Sequence, residues 1–255
     1  MSFAFVFPGQ GSQSVGMMSA YGDLPEVRAA FSEASDALGE DLWVMAAEGP
    51  AERLAQTVNT QPLMLTAGIA VWRAWLAAGG EKPVVVAGHS LGEYSALVAA
   101  GSVDFADAVR LVRLRAQAMQ EAVPAGVGGM AAILGLDASQ VVAICNEAAL
   151  GQVVSAANLN DPKQVVIAGH AEAVARACEA AKAAGARRAL VLPVSAPFHC
   201  ALMRPAAERL AEALKSIEVR TPGIPVVNNV DVAVETDPAR IKDALVRQAY
   251  SPVRW

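Results

Sequence analysis

Short apolar runs alternate with longer stretches of helical period through the first hundred residues. Phe3-Ala4-Phe5-Val6-Phe7, closed by Pro8-Gly9, predicts a strand and a turn. Pro25 to Leu38 predicts a helix stopped by Gly39, and about Leu63 to Ala78 predicts another stopped by Gly79-Gly80. Pro83-Val84-Val85-Val86-Ala87 has the signature of a buried strand. A glycine turn and a helix from Glu93 to Ala100 follow it. Strands that alternate with helices predict a parallel sheet in an α/β domain.

The pattern changes after Pro124-Ala125-Gly126. Met130 to Leu136 is strand-like, about Ser139 to Ala149 is helical, and Val153 to Leu159 and Gln164 to Ala168 form two short runs. Asn158, Asn160, Asp161 and Pro162 mark the turn between them. A helix from Ala171 to Ala184 and a strand from Ala189 to Val194 complete a β-α-β-β-α-β order, which is the ferredoxin-like pattern. The expected organisation is a discontinuous α/β domain, residues 1–123 and 197–255, with a ferredoxin-like small domain inserted at 124–196.

Composition narrows the function. At ~150 residues per domain, 255 residues give a prior of ~1.7 domains. Hydrophobic residues make up 54 % of the chain, but alanine alone supplies 54 residues. The apolar character therefore points to closely packed helices rather than to a membrane. The uncharged runs from Met1 to Gly22 and from Leu54 to Trp72 are broken by polar and turn residues, so no spanning helix is expected. A net charge of −5 and only 5 % aromatic residues argue against nucleic acid as a partner. No basic segment opens the chain, and Cys145, Cys178 and Cys200 lack disulfide or zinc spacing. Reduced, buried thiols in a cytoplasmic monomer, and no metal site, are expected.

Gly88-His89-Ser90-Leu91-Gly92 matches Gly-x-Ser-x-Gly between a predicted strand and a predicted helix, the context a nucleophile elbow requires. Side chains at 88 and 92 would collide with neighbouring backbone in such a turn. The turn would lift the Ser90 hydroxyl to the helix N-terminus, where the Leu91 N–H can stabilise an oxyanion. A serine needs a base. His89 lies inside the elbow with its side chain expected to point away, and His170 opens a small-domain helix as a surface or capping residue. His199 is the base by elimination. No Asp or Glu stands out as its orienting partner, which leaves room for a main-chain carbonyl.

The predicted helix from Val103 to Val123 carries Asp107, Arg110, Gln117 and Glu121 on one polar face, with Arg113 on its edge. Arg115 falls on the other side, between Val112, Met119, Ala108 and Ala122. A guanidinium among apolar side chains needs an anion, from a structural carboxylate or, beside a nucleophilic serine, from a substrate. Lys182, Arg187 and Arg188 form a basic group at the end of a small-domain helix.

Taken together, the chain resembles the malonyl-CoA:acyl-carrier-protein transacylases of bacterial type II fatty acid synthesis. The resemblance covers essentially the whole chain. It rests on Phe5-Val6-Phe7-Pro8-Gly9-Gln10-Gly11-Ser12-Gln13, Thr60-Gln61-Pro62, Gly88-His89-Ser90-Leu91-Gly92-Glu93, Arg115 with Met119, Pro197-Phe198-His199, and Pro225-Val226-Val227-Asn228-Asn229-Val230. It implies a hydrolase-like parallel-sheet large domain with a ferredoxin-like insert. It also implies a ping-pong transfer of malonyl from malonyl-CoA to Ser90, then to the phosphopantetheine thiol of holo acyl carrier protein, without a cofactor. By the resemblance, Gln10 and Leu91 form the oxyanion hole, and the main-chain carbonyl at Gln248 orients His199. Arg115 binds the malonyl carboxylate, and Met119, Gln61, Phe198 and Asn160 line the substrate. Phe198 matches the malonyl-selective rather than the methylmalonyl form of its loop.

Members of the family continue for several tens of residues beyond Tyr250–Trp255, through a strand, a Gly-Pro-Gly turn and a helix. The end of the large domain is therefore expected to be missing, with lower stability and every site residue present. A serine thioesterase or other hydrolase, and a silent carrier-protein-binding module, are the alternative functions. A hydrolase has no use for Arg115 or for the Pro-Gly-Gln-Gly loop.

Overall fold

The structure, a computed structural model, describes residues 2–255. The chain runs β1 (Ala4–Phe7), α1 (Pro25–Leu38), α2 (Leu42–Glu48), α3 (Ala51–Leu54), α4 (Thr57–Ala77), β2 (Val85–Gly88), α5 (Gly92–Ala99) and α6 (Phe105–Glu121). It continues through β3 (Gly128–Leu134), α7 (Ala138–Ala149), β4 (Val154–Asp161), β5 (Gln164–His170), α8 (Ala171–Ala183) and β6 (Arg188–Val191). The last elements are α9 (Arg204–Ser216), β7 (Val226–Val227), α10 (Pro238–Tyr250) and β8 (Val253–Arg254). Two compact units result. One takes the chain up to Gln117 with Glu212–Asn228 and Val232–Lys242; the other takes Ala118–Ala211, Asn229–Asp231 and Asp243–Trp255.

The first unit is built on a parallel sheet in the order β1-β2-β7, the hydrolase-like arrangement. Its register pairs Phe7 with Gly88, which places the Pro8-Gly9-Gln10-Gly11 loop beside the elbow. Phe5 meets Trp72 edge-on at 5.2 Å and so seats β1 on α4. Helix α4 begins at Thr57, six residues before the predicted start, and carries Pro62 inside it. Proline removes one i→i−4 bond and disfavours helix in the residue before it. Burial overrides both effects, because Thr57, Thr60, Gln61, Leu63 and Leu65 all face the interior. That extension brings Gln61 into the core.

The second unit contains an antiparallel sheet in the order β6-β3-β5-β4, the ferredoxin-like order for a βαββαβ chain. One face, with Ala131, Ile133, Val165 and Ile167, packs on Val141 and Cys145 of α7 and Val174 and Cys178 of α8. The strand period of two turns Met130, Val166 and Ala168 to the opposite face, where Phe198, Cys200 and Leu202 cover them. Two C-terminal residues add β8 alongside β4 in parallel, a strand too short to show in sequence. All three cysteines are free and buried, and burial pushes the Cys145 thiol up to about 12 and Cys200 up to about 11. Among the described residues no helix is long and apolar enough to cross a membrane. Among them, too, no three His, Cys, Asp or Glu side chains gather as a metal site.

Candidate active site

Ser90 sits between β2 and α5 at φ 52°, a conformation that costs a non-glycine residue about 1–3 kcal/mol and clusters at functional sites. Its neighbours hold it there by close backbone approach. A Cβ on Gly88 would lie 1.9 Å from the carbonyl carbon and oxygen of Gly92. One on Gly92 would lie 2.3 Å from the Phe7 carbonyl oxygen. The steric reason for both glycines is thus present in the backbone. The turn also directs His89 away from α5, toward the neighbouring loop. A Cβ on Gly9 would meet His89 Nδ1 at 3.1 Å, so the imidazole packs on the Pro-Gly-Gln-Gly loop. Leu91 is the N-cap of α5, so its N–H lies at the positive end of that helix.

Arg115 is 2 % exposed on α6, with Val112 and Ala116 buried beside it. Its Nη1 donates to Gln61 Oε1 at 2.7 Å and its Nη2 donates to Ser90 Oγ at 3.1 Å. The guanidinium carbon lies 5.4 Å from the centre of the Tyr94 ring. Burial is the main influence on Arg115 and lowers its pKa, while the charge of Glu93 opposes that shift. The polar face of α6 behaves as its period predicts, with Arg110 donating to Asp107 and Arg113 paired with Glu40.

The second unit holds His199 at φ 58°, almost wholly buried. Its neighbours are pinned to the small sheet. Pro197 lies over Gly128, where a Cβ would come within 2.4 Å of the ring, and Phe198 and Cys200 pack on Met130 and Val166. Cys200 Sγ donates to the Pro197 carbonyl at 3.1 Å, closing the turn. His199 Nδ1 is 2.8 Å from the Gln248 carbonyl oxygen. A carbonyl only accepts, so Nδ1 carries the proton and the neutral ring has its lone pair on Nε2. That carbonyl belongs to the last turn of α10, whose carbonyls have no intrahelical partner. The partner of His199 Nδ1 is therefore an orphan helix carbonyl, with Pro252 two residues beyond the helix end. Gln248 itself is fully buried, and its Nε2 donates to Asn229 Oδ1 at 3.3 Å.

The model for the acyl transferase domain matches residues 4–255. Malonyl CoA-acyl carrier protein transacylase of Salmonella typhimurium is 62 % identical over 254 residues, which is 99 % of this chain and 82 % of the relative. The chain belongs to the malonyl CoA-acyl carrier protein transacylase family. It is an acyltransferase. The Bacillus subtilis transacylase is 49 % identical across 99 % of this chain and 80 % of its own length. Among solved structures, the acyl-carrier-protein S-malonyltransferase of Burkholderia pseudomallei superposes with a TM-score of 0.99 at 63 % identity, covering 100 % of this chain and 83 % of that one. A type II PKS acyl-carrier protein in complex with its malonyl-transacylase gives 0.98 at 56 % identity, covering 100 % of this chain and 83 % of that one.

Of the residues expected at a transacylase site, the first unit holds Gln10, Gln61, Ser90, Leu91 and Arg115, and brings Gln61, Arg115 and Ser90 into one hydrogen-bonded set. Gln10 is exposed, and its Nε2 donates to Thr57 Oγ1 at 3.1 Å. The second unit holds Met119, Asn160, Phe198, His199 and Gln248, and joins His199 to Gln248. Met119 is buried one turn beyond Arg115, and Asn160 is half-buried on β4. His170 caps α8 without a side-chain cap bond; its Nδ1 instead accepts from the Val153 N–H at 2.9 Å. Lys182 is drawn to Glu179 at 2.7 Å, which leaves Arg187 and Arg188 as the exposed basic pair. The sequence assigned no role to Tyr94, Thr57 or Asn229. Tyr94 carried a signal in its place in the first turn of the helix after the elbow.

Proposed function

We propose that the enzyme transfers the malonyl group from malonyl-CoA to the phosphopantetheine thiol of acyl carrier protein, through a malonyl ester on Ser90, in fatty acid synthesis. The observation that carries this reading is Arg115, a buried guanidinium hydrogen-bonded to the nucleophile's own oxygen. Its two terminal nitrogens now donate to the neutral acceptors Gln61 and Ser90. A carboxylate is a stronger acceptor of both and matches the guanidinium fork. A neutral acetyl group offers nothing there.

In the first half-reaction Ser90 Oγ attacks the thioester carbonyl, and its proton passes to Nε2 of His199. The negative carbonyl oxygen is taken by the Leu91 N–H at the head of α5 together with Gln10. The Gln248 carbonyl, at the negative end of α10, supports the imidazolium that forms. Collapse expels the CoA sulfur, which receives the proton from His199. In the second half-reaction His199 takes the proton of the carrier thiol, the thiolate attacks the Ser90 ester, and Ser90 recovers its proton as the malonyl thioester leaves. Met119, Phe198 and Asn160 shape the acyl site in this reading.

The test is intact mass after incubation with malonyl-CoA or acetyl-CoA. Wild type should gain a malonyl mass, and Ser90→Ala should gain none. Arg115→Ala should lose the malonyl preference by about 30- to 5000-fold, equivalent to ~2–5 kcal/mol for one side of a buried charge pair. Arg115→Lys should restore only part of it. An unaltered malonyl-to-acetyl ratio in Arg115→Ala would place the carboxylate elsewhere. Release of free malonate in preference to malonyl-carrier product, with holo carrier supplied, would favour a hydrolase.

A further inference from the structure

Tyr94 lies one helical turn beyond Ser90 on α5. Its side chain is buried to 2 % exposure, and its ring is 5.4 Å from the Arg115 guanidinium carbon. That separation is within the range at which a cation is attracted by an aromatic face, and burial of both partners strengthens the attraction. We propose that Tyr94 is a positioning residue for substrate choice: its ring seats the Arg115 guanidinium and thereby sets the preference for an acyl group that ends in a carboxylate. The proposal rests on the reading of Arg115 given above.

Two further observations bear on the ring and the hydroxyl. The Tyr94 hydroxyl is buried without a hydrogen bond of ordinary length, although the Arg115 guanidinium lies close enough to act on it. The ring face is the contact that the geometry supports, and Tyr94→Phe separates it from the hydroxyl. Burial pushes the hydroxyl up to about 12 despite the nearby Arg115 charge, so the ring stays a neutral phenol at working pH. The seat also lies close to the nucleophile along the chain. Helix α5 carries Tyr94 directly after the elbow that holds Ser90, so a guanidinium seated on the ring is held near Ser90 Oγ. Arginine carries a flexible stem, and a fixed ring face removes much of the freedom that a carboxylate would otherwise have to quench.

The experiment keeps the volume of the ring and changes only its electrons. Tyr94 is replaced by Phe, and then by mono-, di- and trifluorophenylalanine through codon suppression. Ser90 acylation from malonyl-CoA and from acetyl-CoA is followed by intact mass in each protein. Tyr94→Phe should keep most of the malonyl preference, since the ring remains. Successive fluorines should lower the malonyl-to-acetyl ratio stepwise, to about a tenth of the Phe value in the trifluoro protein, with the larger loss on malonyl. Tyr94→Leu should lower the ratio at least as far. A ratio that stays flat along the fluorine series overturns the proposal, as does an equal fall for both substrates. If the series is flat while Arg115→Ala still loses the malonyl preference, this inference fails and the carboxylate reading stands. If wild type shows no preference for malonyl, both fail.

Discussion

Ser90 and His199 are both held at positive φ, but by opposite means. Ser90 is fixed by backbone against backbone, Gly88 against Gly92 inside the elbow and Gly92 against the Phe7 carbonyl of the paired strand. His199 is fixed by partners remote in sequence: Gly128 under Pro197, Met130 and Val166 under Phe198 and Cys200, and the Gln248 carbonyl on Nδ1. The electrostatics are opposed too. Ser90 stands at the positive head of α5, where an oxyanion is favoured, and His199 meets the negative tail of α10, where an imidazolium is favoured. The same device, an unsatisfied helix end, favours opposite charges beside Ser90 and beside His199. The local solution depends on tolerances of tenths of an ångström, whereas the tertiary one is spread over several contacts.

The largest expected effect tests that difference. Gly92→Ala places a methyl against backbone atoms that have no rotamer to change, and should destabilise the protein by more than ~4 kcal/mol, by the overpacking route to exceptional losses. Gly129→Ala, on β3 with nothing closer than 3.7 Å, should be neutral or stabilise by ~0.4–1 kcal/mol. Chemical denaturation of the two variants beside wild type measures both. A Gly92→Ala midpoint equal to that of Gly129→Ala would mean the elbow has slack, and the local account of Ser90 would fall.

His199→Ala comes next. Loss of a general base should lower acylation by ~10²–10⁴-fold, with folding retained because Phe198 and Cys200 still anchor the loop. Acylation rate at several pH values is the measurement. The residual rate should depend on pH less than the wild-type rate does, and an unchanged profile would assign the base elsewhere.

The same contrast decides what was legible in the sequence. The strand–elbow–helix around Ser90 is a local pattern, and so are α1, with Pro25 at its first turn and Gly39 after its last, and the βαββαβ order. Arg115 was visible because one charge broke the period of a helix. The carbonyl of Gln248 was not readable from side-chain types, since any residue would supply it; only the resemblance pointed to that position. Thr57 stayed hidden, and Gln61 and Asn229 were pointed to only by the resemblance, for a related reason. Buried polar residues near a proline or in a connecting segment look like turn residues until tertiary packing encloses them, as it does the first turns of α4.

The smallest expected effect probes the base side again, just outside His199's partner. Arg247, the residue before Gln248, donates from Nη1 and Nη2 to the two carboxylate oxygens of Asp231 at 2.9 and 2.7 Å, and from Nε to Asp243 at 2.7 Å. With the Gln248–Asn229 bond, it ties the segment 229–231 to the end of α10. The hydrogen bonds from Arg247 are the main cause that holds the Asp231 carboxyl below the usual carboxylate range. A depressed folded pKa means stability that is complete above the unfolded value of about 3.9 and is lost as pH falls through the folded value. Both side chains are well exposed, so solvent screening limits the pair to ~1 kcal/mol or less. Asp231→Asn should therefore lower the melting temperature at pH 7 by no more than ~2–4 °C for a chain of this size. The gap to wild type should close as pH falls through the folded-state value, below the usual carboxylate range, where the wild-type carboxylate is itself protonated. It should also shrink in 1 M salt, where the screening length falls to about 3 Å. Equal melting temperatures at pH 7 would show that the clamp adds nothing. The Gln248 carbonyl would then owe its position to α10 and Asn229 alone, and the base side would rest on fewer contacts than the comparison with Ser90 assigns to it.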